Sequence, residues 1–154
     1  MDPDSNTIVQ DFRQVAAFAG VPLDENAIAV EVLPAPHRPP SNLPKGKMAV
    51  YVFSYRGQAL KVGKVGPKSQ ARYVSQHYRA GSAQSTLAAS LLKNGELIGV
   101  VGLAADQVSD WIKQSTDRVN YIVDADVGIA VLTLLEAFLQ CRLNPVFEGF
   151  ARQR

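Results

Sequence analysis

The sequence predicts a single domain of the α+β (mixed α/β) class, in which helices flank a small antiparallel-containing sheet of three strands and a helical extension precedes the sheet. Two short runs rich in β-branched and aromatic residues meet at Arg56-Gly57, stretches with helical periodicity follow them, and a long apolar stretch lies near the C-terminus. Of the 154 residues, 47% are hydrophobic and 19% are charged, which is enough apolar material for one core. These proportions exclude a disordered or low-complexity chain.

The N-terminal third combines a helix with an extended connection. Apolar residues at spacings of three and four predict an amphipathic helix over residues 6–20. Residues 27–33 are compatible with a strand. Five prolines follow within eleven residues, and they exclude regular pairing, so residues 34–47 are expected to be stiff and extended. We therefore divide the chain into an N-terminal helix with its Pro-rich connection, residues 1–47, and a main domain, residues 48–154.

The main domain opens with a hairpin. Residues 48–54 and 59–64 are short apolar runs on either side of Arg56-Gly57, which is typical of two antiparallel strands joined by a tight turn. The later elements are predicted helices at residues 71–79, 84–93 and 106–115, a third strand at 118–123, and a final helix at 127–143 that Asn144-Pro145 ends.

Cysteine usage and hydropathy indicate the compartment. Cys141 is the one cysteine, which excludes an intramolecular disulfide and a cysteine-rich zinc site and fits a reducing environment. No apolar run reaches the length of about 18 residues that a membrane span needs, so we expect a cytoplasmic protein with no membrane partner. The net charge of +2 permits nucleic-acid binding without requiring it, and a phosphate-binding surface would have to be local.

The hairpin is expected to hold a cluster of a phenol and two cations. Pairing about the turn sets Tyr51 opposite Lys61 or Val62, and Arg72 in the first turns of the next helix can reach the same end of the sheet. Nearby cations stabilise a phenolate, so we expect the pKa of Tyr51 to fall from about 10 toward neutrality. Such a tyrosine would serve as a base.

Glu136 is the unusual residue of the final helix. It stands among leucines, and no lysine or arginine follows it until Arg142. Its carboxylate is therefore exposed to solvent, paired through space or bound to a metal ion, and we favour the metal ion.

This ordered set of residues resembles the GIY-YIG nuclease superfamily. The similarity extends over about residues 48–150 and is nearest to the restriction-endonuclease branch in which lysine replaces the tyrosine of the YIG tripeptide. Strand, strand, helix and helix occur in the order that the family requires. The matching positions are Tyr51, Lys61, Gly63, Arg72 and Glu136.

The resemblance implies single-metal hydrolysis of phosphodiester bonds, leaving a 5′-phosphate and a 3′-hydroxyl. Glu136 would hold Mg²⁺ or Mn²⁺, and Tyr51 would take the proton from the attacking water. Arg72 would stabilise the charge of the transition state. Lys61 would position the water and hold down the pKa of Tyr51, and Gly63 is a structural glycine at a turn or strand end.

The family also indicates which partner to expect. Lys64, Lys68, His77 and Arg79 form a basic and aromatic stretch suited to a nucleic-acid backbone, so DNA is the expected partner and RNA is not excluded. Cutting both strands together would require a homodimer.

Two departures from the family pattern support a different hypothesis. Glu148 stands where many members have an asparagine, and the YIG tyrosine is absent, which is compatible with a nucleic-acid-binding module of this fold whose catalysis has decayed. A protein-interaction domain unrelated to the family is a third interpretation, but it would leave the Tyr-Lys-Arg-Glu set unexplained.

Overall fold

The computed structural model describes residues 3–83 and 86–148. Its strands are β1 (Ile28–Leu33), β2 (Lys47–Tyr55), β3 (Gln58–Val65) and β4 (Asp117–Asp124), and its α-helices are α1 (Pro3–Phe18), α2 (Gln70–Val74), α3 (Leu87–Asn94), α4 (Val108–Ser115) and α5 (Ile129–Leu143). The strands form one antiparallel sheet in the order β1-β4-β2-β3, with helices on both faces, so the α+β class is confirmed. None of the helices in the described residues is long and apolar enough to cross a membrane.

The sheet has four strands where the sequence predicted three. The additional strand is β1, which pairs with β4 along its whole length, from Ile28 opposite Val123 to Leu33 opposite Arg118. Without β1, the backbone groups on one side of β4 would form an open edge. The segment that the sequence assigned to an N-terminal extension thus supplies an edge strand.

The rest of the N-terminal segment is also attached to the main body. The ring of Phe12 on α1 is fully buried and lies 5.6 Å from the ring of Phe138 on α5. In the Pro-rich connection, the His37 backbone N–H donates a 2.8 Å hydrogen bond to the carbonyl oxygen of Lys113, and the His37 ring Nδ1 bonds the carbonyl oxygen of Thr116. The connection therefore lies as a strap across α4.

The predicted hairpin is present, but its register differs from the prediction by one residue. Arg56 and Gly57 both have positive φ angles, 50° and 79°, as a two-residue type I′ turn requires. A bulge between Phe53 and Ser54 then shifts the pairing, so that Tyr51 lies opposite Gly63 and Phe53 lies opposite Lys61. Gly63 is consequently an interior residue of β3, and the expectation that it ends a strand or makes a turn is wrong.

The helix predicted after the hairpin is interrupted. α2 ends at Val74, Ser75 departs from helical geometry with φ −136°, and a 3₁₀ turn follows at Gln76–Tyr78. His77 and Tyr78, two consecutive residues of this turn, are both buried.

Candidate active site

Two neighbouring rows of paired residues on the sheet face that packs against α2, α3 and α4 contain the polar groups of the site. Residues paired across antiparallel strands share a face, so each row brings together one residue from each of the four strands. The first row, from β1 to β3, is Glu31, Asn120, Tyr51 and Gly63, and the second is Leu33, Arg118, Phe53 and Lys61.

Tyr51 is at the centre of the site and is fully buried. Its ring lies across Gly63, because a Cβ placed on that glycine would be 2.5 Å from the Tyr51 hydroxyl oxygen. Real Cβ atoms do not come so close, so only glycine leaves room for the phenol here. The requirement for glycine at position 63 is therefore steric.

Two N–H groups point at the Tyr51 oxygen. Arg72 Nε donates to it at 3.2 Å, and His77 Nε2 lies 2.6 Å away. The other ring nitrogen of His77, Nδ1, accepts a 3.0 Å hydrogen bond from the Leu87 backbone N–H. A neutral imidazole protonated on one nitrogen must then have its proton on Nε2, so His77 is also a donor to the Tyr51 oxygen.

Burial governs the ionisation of both partners. It raises the pKa of Tyr51 above the ordinary value, while the charges of Arg72 and Arg118 lower it and Glu136 raises it. The expectation of a pKa near neutrality is thus wrong, since desolvation outweighs the cations that the sequence identified. Burial also lowers the pKa of His77 to about 2, with the charges of Arg72, Lys61 and Arg118 acting in the same direction, so the imidazole is neutral.

Lys61 lies in the second row with its side chain 7% exposed. Its ammonium is 3.8 Å from a carboxylate oxygen of Glu148 and 3.5 Å from the carbonyl oxygen of Phe147. Burial lowers the pKa of Lys61, and attraction to Glu148 opposes that shift. Lys61 and Tyr51 are therefore in adjacent rows, and no hydrogen bond joins them in the described part of the chain.

Glu148 has a role that the sequence did not indicate. Besides facing Lys61, it accepts a 2.9 Å hydrogen bond from the Val62 backbone N–H on the outer edge of β3. Val146 and Phe147 donate their N–H groups to the carbonyl oxygens of Ala59 and Leu60 just before it. The chain after α5 thus covers the outer edge of β3. Its backbone bonds the carbonyl oxygens of Ala59 and Leu60, and the Glu148 side chain extends this pairing to the Val62 N–H.

Glu136 is paired through space. It forms an ion pair with Lys64, and its side chain is 18% exposed while that of Lys64 is 36% exposed. α5 packs on the opposite face of the sheet, yet Glu136 is close enough to Tyr51 and Lys61 to raise their pKa values. The structure pairs this carboxylate with Lys64, and Glu136 stands beside the site.

The residues assigned to nucleic-acid binding separate into two groups. Lys68 and Arg79 are exposed and Lys64 is partly exposed, so all three can meet a ligand from solvent. His77 is 0% exposed and bonds Tyr51 instead, so its assignment as a nucleic-acid contact is wrong. The interrupted helix is the reason, because it turns His77 toward the sheet.

A surface cavity of about 730 Å³ lies away from these side chains. It is lined by residues of the α1–β1 loop, of the end of β4 and of the segment after it, including Asp24, Asp124 and Asp126. Three carboxylates would repel a phosphate. We therefore place the candidate site at Tyr51, where the hydrogen-bonded groups are.

Arg118 and Asn120 are the site residues that the sequence analysis missed. Both are fully buried in β4, and the Arg118 Nε–H donates a 2.8 Å hydrogen bond to Asn120 Oδ1. Asn120 Nδ2 in turn donates to Glu31 at 2.8 Å. The alternation Arg118-Val119-Asn120 in a predicted strand was the available signal, since it puts two polar groups on one face.

Comparison with known proteins adds no relative, because no protein-family model, curated protein or solved structure matches this chain.

Proposed function

We propose that this protein is a metal-dependent endonuclease of the GIY-YIG type that hydrolyses DNA phosphodiester bonds to 5′-phosphate and 3′-hydroxyl ends. The main support is the geometry around Tyr51, whose oxygen accepts hydrogen bonds from Arg72 and His77 with Glu136 near by. Hydrogen bonds donated to an oxygen favour its charged form. They therefore favour the phenolate, which is the form of Tyr51 that can take a proton from water.

The roles follow from the position of each group. Tyr51, once ionised, takes the proton of the attacking water and becomes a neutral phenol. Its two N–H donors stabilise the phenolate that must form before that transfer. Arg72 is partly exposed, so it can also contact a phosphate oxygen while it bonds the phenol. Lys61 offers an ammonium group held by Glu148, and this group orients the water.

The chemistry of the donor set fits one hard divalent cation. Mg²⁺ and Mn²⁺ accept a single protein carboxylate and complete their coordination with water and phosphate oxygens. The described residues contain no cluster of three metal-binding side chains. In this proposal Glu136 is the protein ligand. When bound, the ion supplies Lewis-acid stabilisation of the phosphate. Lys64 neutralises the Glu136 carboxylate in the structure, and this ion pair would have to open for Glu136 to hold the ion.

Exposed cations at the end of β3 and in the segment after it support a nucleic-acid partner. Lys68 and Arg79 are exposed to a phosphate backbone, and Lys64 is partly exposed within its ion pair with Glu136. We propose DNA as the partner, with RNA as the other polymer to be assayed. A cytoplasmic location and a homodimer for cutting both strands belong to the same proposal.

The proposal is tested by incubating the protein with plasmid and with single-stranded DNA in the presence of Mg²⁺ or Mn²⁺. We expect cleavage, and we expect Tyr51→Phe and Glu136→Gln to reduce it at least about 100-fold. Tyr55→Phe, in the same strand, and Glu96→Gln, at an exposed carboxylate, are matched controls that should retain activity. Absence of products on every substrate, or full activity of Glu136→Gln, would contradict the assignment.

A nucleic-acid-binding module without catalysis is the second candidate. The complete burial of Tyr51 and the raised pKa of its phenol favour it, since both keep the group protonated and away from solvent water. Binding that weakens with salt, unaccompanied by cleavage, would support this candidate. The logarithm of the binding constant should fall less steeply with the logarithm of the salt concentration in Lys68→Ala and in Arg79→Ala. The slope should be shallower by about one in each variant if that residue contacts a phosphate.

A further inference from the structure

Arg118 is a charged group that the proposed reaction does not yet use. Its side chain is fully buried, and within the described residues no carboxylate lies within 4 Å of its guanidinium. Arginine is always protonated in proteins, so the core contains a permanent positive charge. Burying such a charge without an anion is costly, and an apolar side chain of similar volume is often as stabilising.

The surroundings of Arg118 hold that charge in one place. Its guanidinium carbon lies 4.8–5.9 Å from the ring centroids of four aromatic residues, which suits a cation–π cage. Three neutral acceptors fix its orientation: Asn120 Oδ1 at 2.8 Å, the Tyr73 carbonyl oxygen at 2.8 Å and the Tyr78 hydroxyl at 3.2 Å. The four rings belong to Tyr51, Phe53, Tyr73 and Tyr78.

One ring of this cage belongs to the proposed base. The guanidinium carbon of Arg118 is 5.1 Å from the centroid of the Tyr51 ring, on the fully buried side. The hydroxyl end of the same ring meets Arg72 and His77. Tyr51 therefore has the N–H donors of Arg72 and His77 at its oxygen and the guanidinium of Arg118 near its ring.

We propose that Arg118 is a positioning residue for Tyr51: its buried charge favours the ionised phenol and holds the ring in the gap that Gly63 leaves. This inference rests on the proposed function for its catalytic meaning, but the electrostatic part concerns Tyr51 itself. Arg118 lowers the pKa of Tyr51 against burial, and it also helps to keep His77 neutral, as an N–H donor to the phenol.

Other charged groups also act on Tyr51, so the experiment must isolate Arg118. Arg72 on α2 and Glu136 on α5 oppose each other at the phenol, and Lys61 on β3 acts on His77. None of these is changed by a substitution at position 118 in β4. The informative pair is Arg118→Met, which removes the charge, and Arg118→Lys, which retains it without the guanidinium geometry.

The probe is 3-fluorotyrosine incorporated at all tyrosines, which is more acidic than tyrosine and reports ionisation by ¹⁹F NMR. The Tyr51 signal is assigned by its loss in Tyr51→Phe. We expect the ionisation midpoint of Tyr51 to rise by about 1 to 2 pH units in Arg118→Met and to remain near the original value in Arg118→Lys. An unchanged midpoint in a folded Arg118→Met protein would overturn the inference.

A second variant of the same chain covers the case in which Arg118→Met does not fold. Arg118→Gln also removes the charge, but it keeps a polar side chain that can donate a hydrogen bond to Asn120 Oδ1. It should raise the Tyr51 midpoint as Arg118→Met does, whereas no rise would refute the inference. Glu31→Gln is the control and should not raise the midpoint.

Cleavage assays on the same proteins separate this inference from the proposed function. In an active nuclease, the pH profile of Arg118→Met should move to higher pH together with the NMR midpoint. A shifted midpoint in a protein that cuts no DNA would support the role of Arg118 toward Tyr51 and contradict the nuclease assignment. An unshifted midpoint in a protein that cuts DNA would support the nuclease assignment and contradict the role of Arg118 toward Tyr51.

Discussion

Tyr51 is a phenol, not a phenolate, in the resting protein. Burial raises its pKa, and the charges of Arg72 and Arg118 offset only part of that effect. The two N–H donors at its oxygen lower the energy of the phenolate once the proton leaves, so the site combines a protonated resting state with a stabilised ionised state. A base of this kind becomes more effective as the pH increases.

Cleavage should therefore rise with pH. The ionised fraction of a group grows tenfold per pH unit below its pKa, so log(kcat/KM) should increase with a slope near one between about pH 6 and pH 9 at constant metal concentration. Measuring this profile with natural tyrosine and with 3-fluorotyrosine provides the control, since the more acidic phenol should move the profile to lower pH. A rate that is independent of pH, or identical profiles for the two proteins, would remove Tyr51 from the base role.

At the scale of elements, the interior of β3 depends on a residue without a side chain. The bulge between Phe53 and Ser54 sets Gly63 opposite Tyr51, and the phenol occupies the space that a side chain would fill. Position 63 thus links strand register to the site.

Gly63→Ala should displace Tyr51 and disable the site. The new Cβ would lie 2.5 Å from the Tyr51 oxygen, and relief requires a ring or backbone shift that costs about 1–3 kcal/mol of unfolding free energy. Gly66→Ala is the matched control, because its Cβ would lie at an ordinary 3.6 Å from Ile129 Cδ1. Urea unfolding and cleavage assays of both variants test this prediction, which fails if the two alanines have equal effects.

At the scale of the whole molecule, two buried neutral histidines connect the site to stability. His77 bonds Tyr51 and Leu87, and His37 bonds Tyr78 and Thr116, so each closes a contact between distant segments. Burial lowers the pKa of both histidines, that of His77 to about 2. In the unfolded chain each histidine would have its ordinary pKa of 6.5 and would bind a proton below that pH.

The protein should therefore lose stability in mild acid. Between pH 6.5 and about pH 5 the unfolded state binds more protons than the folded state, so the free energy of unfolding should fall by up to about 1 kcal/mol per pH unit for each buried histidine. Urea unfolding at a series of pH values measures this slope. His77→Asn should be less stable at neutral pH but should show a shallower slope, and an equal slope would refute the assignment to His77.

The sequence by itself determined the local structure and the residue types of the site. Helical and strand periodicities lie within short windows, so the hairpin, the later strand and the final helix were predictable. The catalytic roles of Tyr51, Lys61, Arg72 and Glu136 stay a prediction. Those four residues do approach one another, with Arg72 bonded to Tyr51 and Glu136 within electrostatic range.

Tertiary structure alone decided how these groups meet. The bulge in the hairpin chose Gly63 as the partner of Tyr51, the break at Ser75 turned His77 to the phenol, and the pairing of β1 with β4 added Glu31 to the site. The ion pairs of Glu136 with Lys64 and of Glu148 with Lys61 join residues more than 70 positions apart. Register, burial and long-range pairing depend on contacts between distant segments, which no local window of the sequence contains.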